Sequence, residues 1–384
     1  MTITDKKNLW ILLVTVFVSN IGSYLVIPIL AVYLEQVGGM SVTAVGSLFA
    51  VMGLLQLAGS AASGATANRI GPKQTLLFAL ALRVVGFPLC LFKDAPILIW
   101  GGCCLIWLGS GMYVPTSKSV ISALATNTSS AKYLALRSSA ANSGVVIGPA
   151  LGILLSPLLG NAGLFSTAAA FFMIAFAANS IIRLPVMPDE HVSRADFLGW
   201  RRVLYATGAR ALLLMSATSY ACLAIFEIVV PIFGVRHVTA NAPQLAFILN
   251  ATIVSLFQGF VAFRIERLIG AYDGPIALLF LALSCFVISN SSENPWLFSF
   301  GVVIFSFGEV LLFLAIDVRT SRLPGSITNA FAVVTSVGML GGALGTQIFS
   351  ALFDRMAPFD FWMTASAINV LVAAVAFWSL RAHR

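Results

Sequence analysis

The sequence predicts an all-α polytopic membrane protein whose twelve transmembrane helices form two pseudo-symmetric six-helix bundles. Three observations predict it. Apolar residues make up 59% of the chain and charged residues 9%, against about 25% charged in soluble domains, and the mean hydropathy is +0.97. The apolar residues come in runs of bilayer length, roughly 20 residues with a short connection, for which 384 residues leave room about twelve times. Lysine and arginine concentrate in alternate connections.

The first run, 9–34, exceeds a signal-peptide core and no small-residue cleavage pattern follows it, so it is expected to stay as a helix. The second, 42–67, leads into a glycine- and arginine-bearing turn; the third, 75–92, holds Arg83; the fourth, 97–120, ends near Lys118, which can snorkel. Runs 134–157 and 164–182 complete the first half. The second half contains 208–234, 245–263, 275–291, 297–318, 328–352 and 361–380, with Glu227 and Glu309 inside the first and fourth of these. Backbone polar groups in lipid must be satisfied within the segment, which makes helix the expected state of every run.

Of 22 lysines and arginines, Lys93, Arg236 and Arg355 fall on one side, Arg83 lies within the third run, and all others share the side of the N-terminus. Both termini are therefore expected in the cytoplasm. The longest polar interval, Arg183 to Arg202, sits near the midpoint with Pro185 and Pro188, and predicts a cytoplasmic linker at 183–207 between bundles at 1–182 and 208–384. A faint repeat supports this division: Val26-Ile27-Pro28-Ile29 recurs as Val229-Val230-Pro231-Ile232, and Leu55-Gln56 as Phe257-Gln258, at nearly equal offsets.

The net charge of +8 is scattered, not gathered into a stripe, which argues against a nucleic-acid partner. All five cysteines lie within apolar runs without metal-ligand spacing, so inert thiols and no metal or cofactor are expected. The three histidines, His191, His237 and His383, fall in loops or the tail. No nucleophile elbow or phosphate-cradling glycine-lysine loop is present, which disfavours an enzyme and an ATP-driven pump.

Two motifs are more specific. The connection after the second run reads Gly64-Ala-Thr-Ala-Asn68-Arg69-Ile-Gly71-Pro72-Lys73, in which the glycines permit a tight turn and Arg69 and Lys73 supply cations for acids or helix C-terminal carbonyls. The fifth run contains Gly144-Val-Val-Ile-Gly148-Pro149-Ala-Leu-Gly152, where glycines four apart allow close helix approach and Pro149 bends the segment. Together they resemble the loop signature and the helix 5 antiporter motif of the major facilitator superfamily, and within it the twelve-helix drug:proton exporters. Leu82-Arg83-Val-Val-Gly86-Phe87 and Leu108-Gly109-Ser-Gly111 add to the likeness. Asn68 replaces the usual acid of the loop, Pro72 a usual basic residue and Ile153 the last glycine of the antiporter motif; Leu105 stands where many drug exporters carry arginine. A weaker echo of the loop appears at Glu266-Arg267-Leu-Ile-Gly270.

The resemblance implies a major facilitator fold, a conformational latch at Gly64, Asn68, Arg69, Gly71 and Lys73, and a central cavity lined by helices 1, 4, 7 and 10. Helical spacing puts polar and aromatic residues on single faces of those helices: Asn20, Tyr24 and Glu35; Ser216, Tyr220, Glu227 and Pro231; Ser306, Glu309, Phe313, Asp317 and Thr320. Asn20, Tyr24, Tyr113, Tyr220, Glu227, Phe305, Glu309 and Phe313 are accordingly the substrate-contact candidates. Intramembrane charges are costly, and an apolar surrounding favours the neutral form of a carboxyl group. Glu227 and Glu309, with Arg83 as a possible ion-pair partner, are the proton-coupling candidates; a purely structural ion pair is the competing reading. The expected protein is a proton-coupled exporter of small amphipathic molecules, monomeric, in a bacterial cytoplasmic membrane. Its partners are then the bilayer, the cargo and protons. A carrier for a defined metabolite or siderophore is the second reading, and a membrane receptor or scaffold the third.

Overall fold

A computed structural model describes residues 3–125, 130–182, 209–269, 272–321, 323 and 327–382. The expected linker at 183–207 lies outside them, as do the side chains of the Glu266–Gly270 echo. Among the described residues every regular element is helical. The first half contains α1 (Ile3–Gln36), α2 (Val42–Ile70), α3 (Pro72–Leu89), α4 (Pro96–Leu124) and α5 (Ser130–Ile181). The second contains α6 (Ala209–Ala224), a π-helical turn (Ile225–Val229), α7 (Val230–His237), α8 (Ala242–Ile269), α9 (Asp273–Ser289), α10 (Pro295–Ser321), α11 (Ile327–Arg355) and α12 (Pro358–Ala382).

By length and composition, eight described stretches qualify as membrane spans, and Ala242–Phe257 and Asp273–Ser289 are shorter apolar helices. One of the eight, Leu136–Ile181, has 46 residues, or about 70 Å of helix against a hydrocarbon core of about 30 Å. It is divided at Gly160, whose φ of 60° and ψ of −173° leave helical space. That break falls in the gap expected between the fifth and sixth runs.

The chain forms two compact units, Met1–Gly39 with Val51–Val192, and Met40–Ala50 with Ser193–Arg384. In the first unit, α1 lies along α5 at glycine contacts. A Cβ on Gly144 would sit 2.6 Å from the Asn20 Cβ, and one on Gly148 would sit 2.8 Å from the Tyr24 carbonyl carbon. α3 and α4 meet in the same way, through Gly86, Gly102 and Gly109. Phe87, Phe165 and Phe172 fill the space between, with Phe87 and Phe172 stacked at 5.2 Å.

In the second unit the counterpart glycines are on α11. Cβ atoms on Gly338, Gly341 and Gly345 would meet Tyr220, Ala217 and Ala221 of α6 within 2.4 to 2.6 Å. Lipid supplies no hydrophobic drive between helices, and small residues that let backbones approach supply packing instead. The start of α2 belongs to this unit, where Asp354 accepts from the backbone N–H groups of Val42 (3.2 Å) and Thr43 (2.7 Å) and from the Thr43 hydroxyl (2.6 Å). A carboxylate there satisfies amides that the first turn leaves without helical partners.

Candidate functional site

Glu227 lies in the π-helical turn, and its neighbour Pro231 explains why the helix widens there. Pro231 has no N–H to offer the Glu227 carbonyl, the acceptor four residues back. The helix instead closes a wider ring, with the Val230 N–H donating to the Ile225 carbonyl. Such turns recur at functional sites because they re-aim the side chain they carry. Glu227 is partly buried and close enough to Glu309 of α10 for the two carboxyl groups to interact electrostatically.

Glu309 is held from α8. Asn250 Nδ2 donates to Glu309 Oε2 at 2.5 Å and lies 3.2 Å from the Ser306 hydroxyl, one turn earlier on α10. Around this polar group stands an aromatic wall: Phe226 stacks on Phe305 at 4.9 Å and tilts against Phe247 at 5.0 Å. Tyr220 and Phe313 meet edge to face at 5.6 Å, and Tyr220 senses the charge of Asp317. The second unit thus brings together Tyr220, Glu227, Phe305, Glu309 and Phe313 of the expected set. Asn250 was missed by the sequence reading; it shares its run with Thr252, Ser255 and Gln258, and only the packing of α8 against α10 singles it out.

The first unit gathers a different chemistry. Arg83 donates from Nη2 to the Ser23 hydroxyl at 2.5 Å and lies 4.0 Å over the Phe172 ring. Within its own unit Arg83 is met by a hydroxyl and a ring face. Tyr113 is buried with its phenol 3.4 Å from Thr15 Oγ1, and both Tyr113 and Tyr24 interact electrostatically with Arg83. Asn20 turns its amide back onto the Val16 carbonyl at 2.8 Å. Arg137, which falls in the fifth run and was counted with the cations on the side of the N-terminus, is buried within α5 and donates to Ser117 at 3.0 Å.

At the latch candidates, Gly64 lies within α2 and Gly71 adopts φ 89°, a conformation that favours glycine. Asn68 and Arg69 are exposed, and Lys73 Nζ donates to the Ser180 carbonyl at 2.5 Å, in the last turn of α5. Pro149 and Gly152 lie inside α5 beside the Gly144 and Gly148 contacts. Four of the cysteines are buried, and Cys90 and Cys103, distant in sequence, bring their sulfurs to 3.8 Å. Among the described residues no cluster suited to a metal ion is present.

Long apolar helices that bury a few acids and cations define an integral membrane protein. The sequence profile of the Major Facilitator Superfamily matches residues 12–346, and the chain belongs to that superfamily; it is a transporter and not an enzyme. It is 24% identical to "Multidrug resistance protein 1" of Bacillus subtilis (strain 168), across 99% of this chain and 98% of that one. It is also 24% identical to "Multidrug resistance protein MdtH" of Yersinia pestis (strain Pestoides F), across 95% of this chain and 92% of that one. Among solved structures, a POT family transporter in complex with 5-aminolevulinic acid superposes with a TM-score of 0.81 at 15% identity, over 96% of this chain and 95% of that one. At that identity the likeness concerns the fold.

Proposed function

We propose that this transporter is a proton-coupled exporter of small amphipathic molecules, with twelve passes, both termini cytoplasmic, working by alternating access as a monomer in a bacterial cytoplasmic membrane. The observation that carries the proposal is the pair Glu227 and Glu309. Two acids near enough to act on each other electrostatically lie beside aromatic rings, with an amide as Glu309's partner and no cation bonded to either among the described residues. Two interacting carboxyl groups in an apolar surrounding resist carrying two charges at once, so the pair is suited to take up and release a proton as its exposure changes. Tyr220, Phe305 and Phe313, and in the first unit Asn20, Tyr24 and Tyr113, are the cargo contacts in this reading. The loop from Gly64 to Lys73 serves as the latch, and the Gly144 to Gly152 segment as the antiporter helix. The multidrug-resistance names of relatives aligned over nearly the whole chain agree with export of drug-like cargo.

The test uses purified protein in vesicles with an imposed pH gradient and a fluorescent drug-like dye. Glu227→Gln and Glu309→Gln are each expected to reach the membrane and melt near the wild-type temperature while losing gradient-driven transport. Wild-type activity in both would remove the coupling site, and transport indifferent to the gradient would remove proton coupling altogether.

A further inference from the structure

Among its described residues the first unit buries positive charge that the acids there do not balance. Arg83 is 5% exposed; among the described residues it has no bonded partner besides Ser23 and the Phe172 ring, and its Nε makes no hydrogen bond. Arg137 is 6% exposed and bonds the Ser117 hydroxyl. Both guanidinium groups act on the Tyr113 phenol, and Lys118 is close enough to Arg137 to feel its charge. From Met1 to Ile182 the only acids are Asp5, Glu35 and Asp94. On α1, Glu35 is about 18 Å along the axis from Ser23, and Asp5 about 27 Å in the other direction, at about 1.5 Å per residue. Asp94 follows the end of α3, roughly 16 Å from Arg83 by the same measure. None of the three reaches the Arg83 guanidinium.

Arginine does not shed its proton in proteins. Hydroxyl groups and a ring face compensate a buried charge only in part. A planar guanidinium with an unbonded Nε edge matches the two oxygens of a carboxylate or related oxyanion, and a protonated phenol beside it adds a donor. We infer that Arg83, with Arg137 and Tyr113, forms an anion-binding site within the first unit, and that the cargo carries a carboxylate or a like-shaped oxyanion. This rests on the transport reading above and narrows its cargo to organic anions.

The test compares three probes of one shape: 2-naphthoate, the neutral 2-naphthamide and the cationic 2-naphthylmethylammonium. With detergent-purified wild-type protein, naphthoate is expected to raise the melting temperature, because a ligand of the native state stabilises it, and the amide and ammonium are not. Arg83→Gln is expected to weaken naphthoate binding by about tenfold or more, and Arg83→Lys to retain part of it. If Arg83→Gln does not elute as a folded monodisperse species, Arg137→Gln and Ser23→Ala carry the comparison, each with a smaller loss. Equal stabilisation by naphthoate and naphthamide, or an undiminished naphthoate shift in every folded variant, overturns the site. In vesicles under a pH gradient, movement of the ammonium probe alone overturns the anionic cargo while leaving a proton-coupled exporter. Arg83-dependent naphthoate binding with no gradient-driven movement of any probe upholds the site and sinks the transport coupling instead.

Discussion

At the scale of single residues, the polar groups divide into those with a charged partner and those held by neutral ones. Asp273 and Arg319 are of the first kind, joining the start of α9 to the end of α10, where Asp273 also accepts from the Gly274 N–H at 2.7 Å. The two side chains are 12% and 18% exposed, so removing one leaves the other poorly solvated. Asp273→Ala is expected to cost about 1 to 3 kcal/mol, with Arg319→Met in the same chain recovering much of it. Thermal unfolding in detergent checks the pair, and additive losses would show that the ion pair contributes nothing of its own. Glu309 and Arg83 are of the second kind, one bonded to the Asn250 amide and the other to the Ser23 hydroxyl. Neutral partners leave a charge free to change its state or to meet a ligand, which is why the functional readings rest on these residues and not on Asp273.

At the scale of elements, small local features set where side chains point. Pro231 forces the π-helical turn that carries Glu227, and Pro231→Ala returns an N–H that allows regular α-helix through the site. That change shifts the register by one residue, rotating Glu227 by about 100°. Gradient-driven transport is expected to fall while the melting temperature holds or rises, since a helix-breaking residue is removed. Unchanged transport would mean that the turn does not aim Glu227. Gly148 acts through its size. A Cβ there meets Tyr24 and Ile21 backbone at 2.8 and 2.9 Å, atoms that cannot step aside without moving α1. Gly148→Ala should therefore destabilise by about 1 to 3 kcal/mol, read as a drop in melting temperature, whereas the same change at Gly53, where a Cβ meets nothing within 4 Å, should not.

At the scale of the whole molecule, the two halves carry a shared plan within each unit. α1 packs on glycines of α5, α6 packs on glycines of α11, and Pro28 and Pro231 occupy matching places in the repeat. Their chemistry differs, with buried arginines bonded to hydroxyl groups in the first unit and a pair of interacting acids in the second. The distribution of lysine and arginine also makes a topological prediction. In a cysteine-free variant, Lys93→Cys is expected to react with a membrane-impermeant maleimide in intact cells, and Lys6→Cys only after permeabilisation. The reverse pattern would invert the proposed orientation.

The sequence by itself determined that the chain is helical and membrane-embedded, where the helices lie, and to which superfamily its motifs point. Those properties follow from composition summed over short windows, from charge counted loop by loop, and from glycines at fixed spacing, none of which needs a partner distant in the chain. It also named Glu227, Glu309 and Arg83, because a charge in an apolar run stands out wherever the run packs. Tertiary structure alone decided what those charges meet. Asn250 reaches Glu309 because α8 and α10 pack together, and Arg83 finds Ser23 and Phe172 because α1 and the end of α5 converge on α3. Such pairings depend on how each helix is rotated about its axis and which neighbour it faces. In runs that are apolar on every side, the hydrophobic pattern leaves that rotation open, and the packing of small residues fixes it.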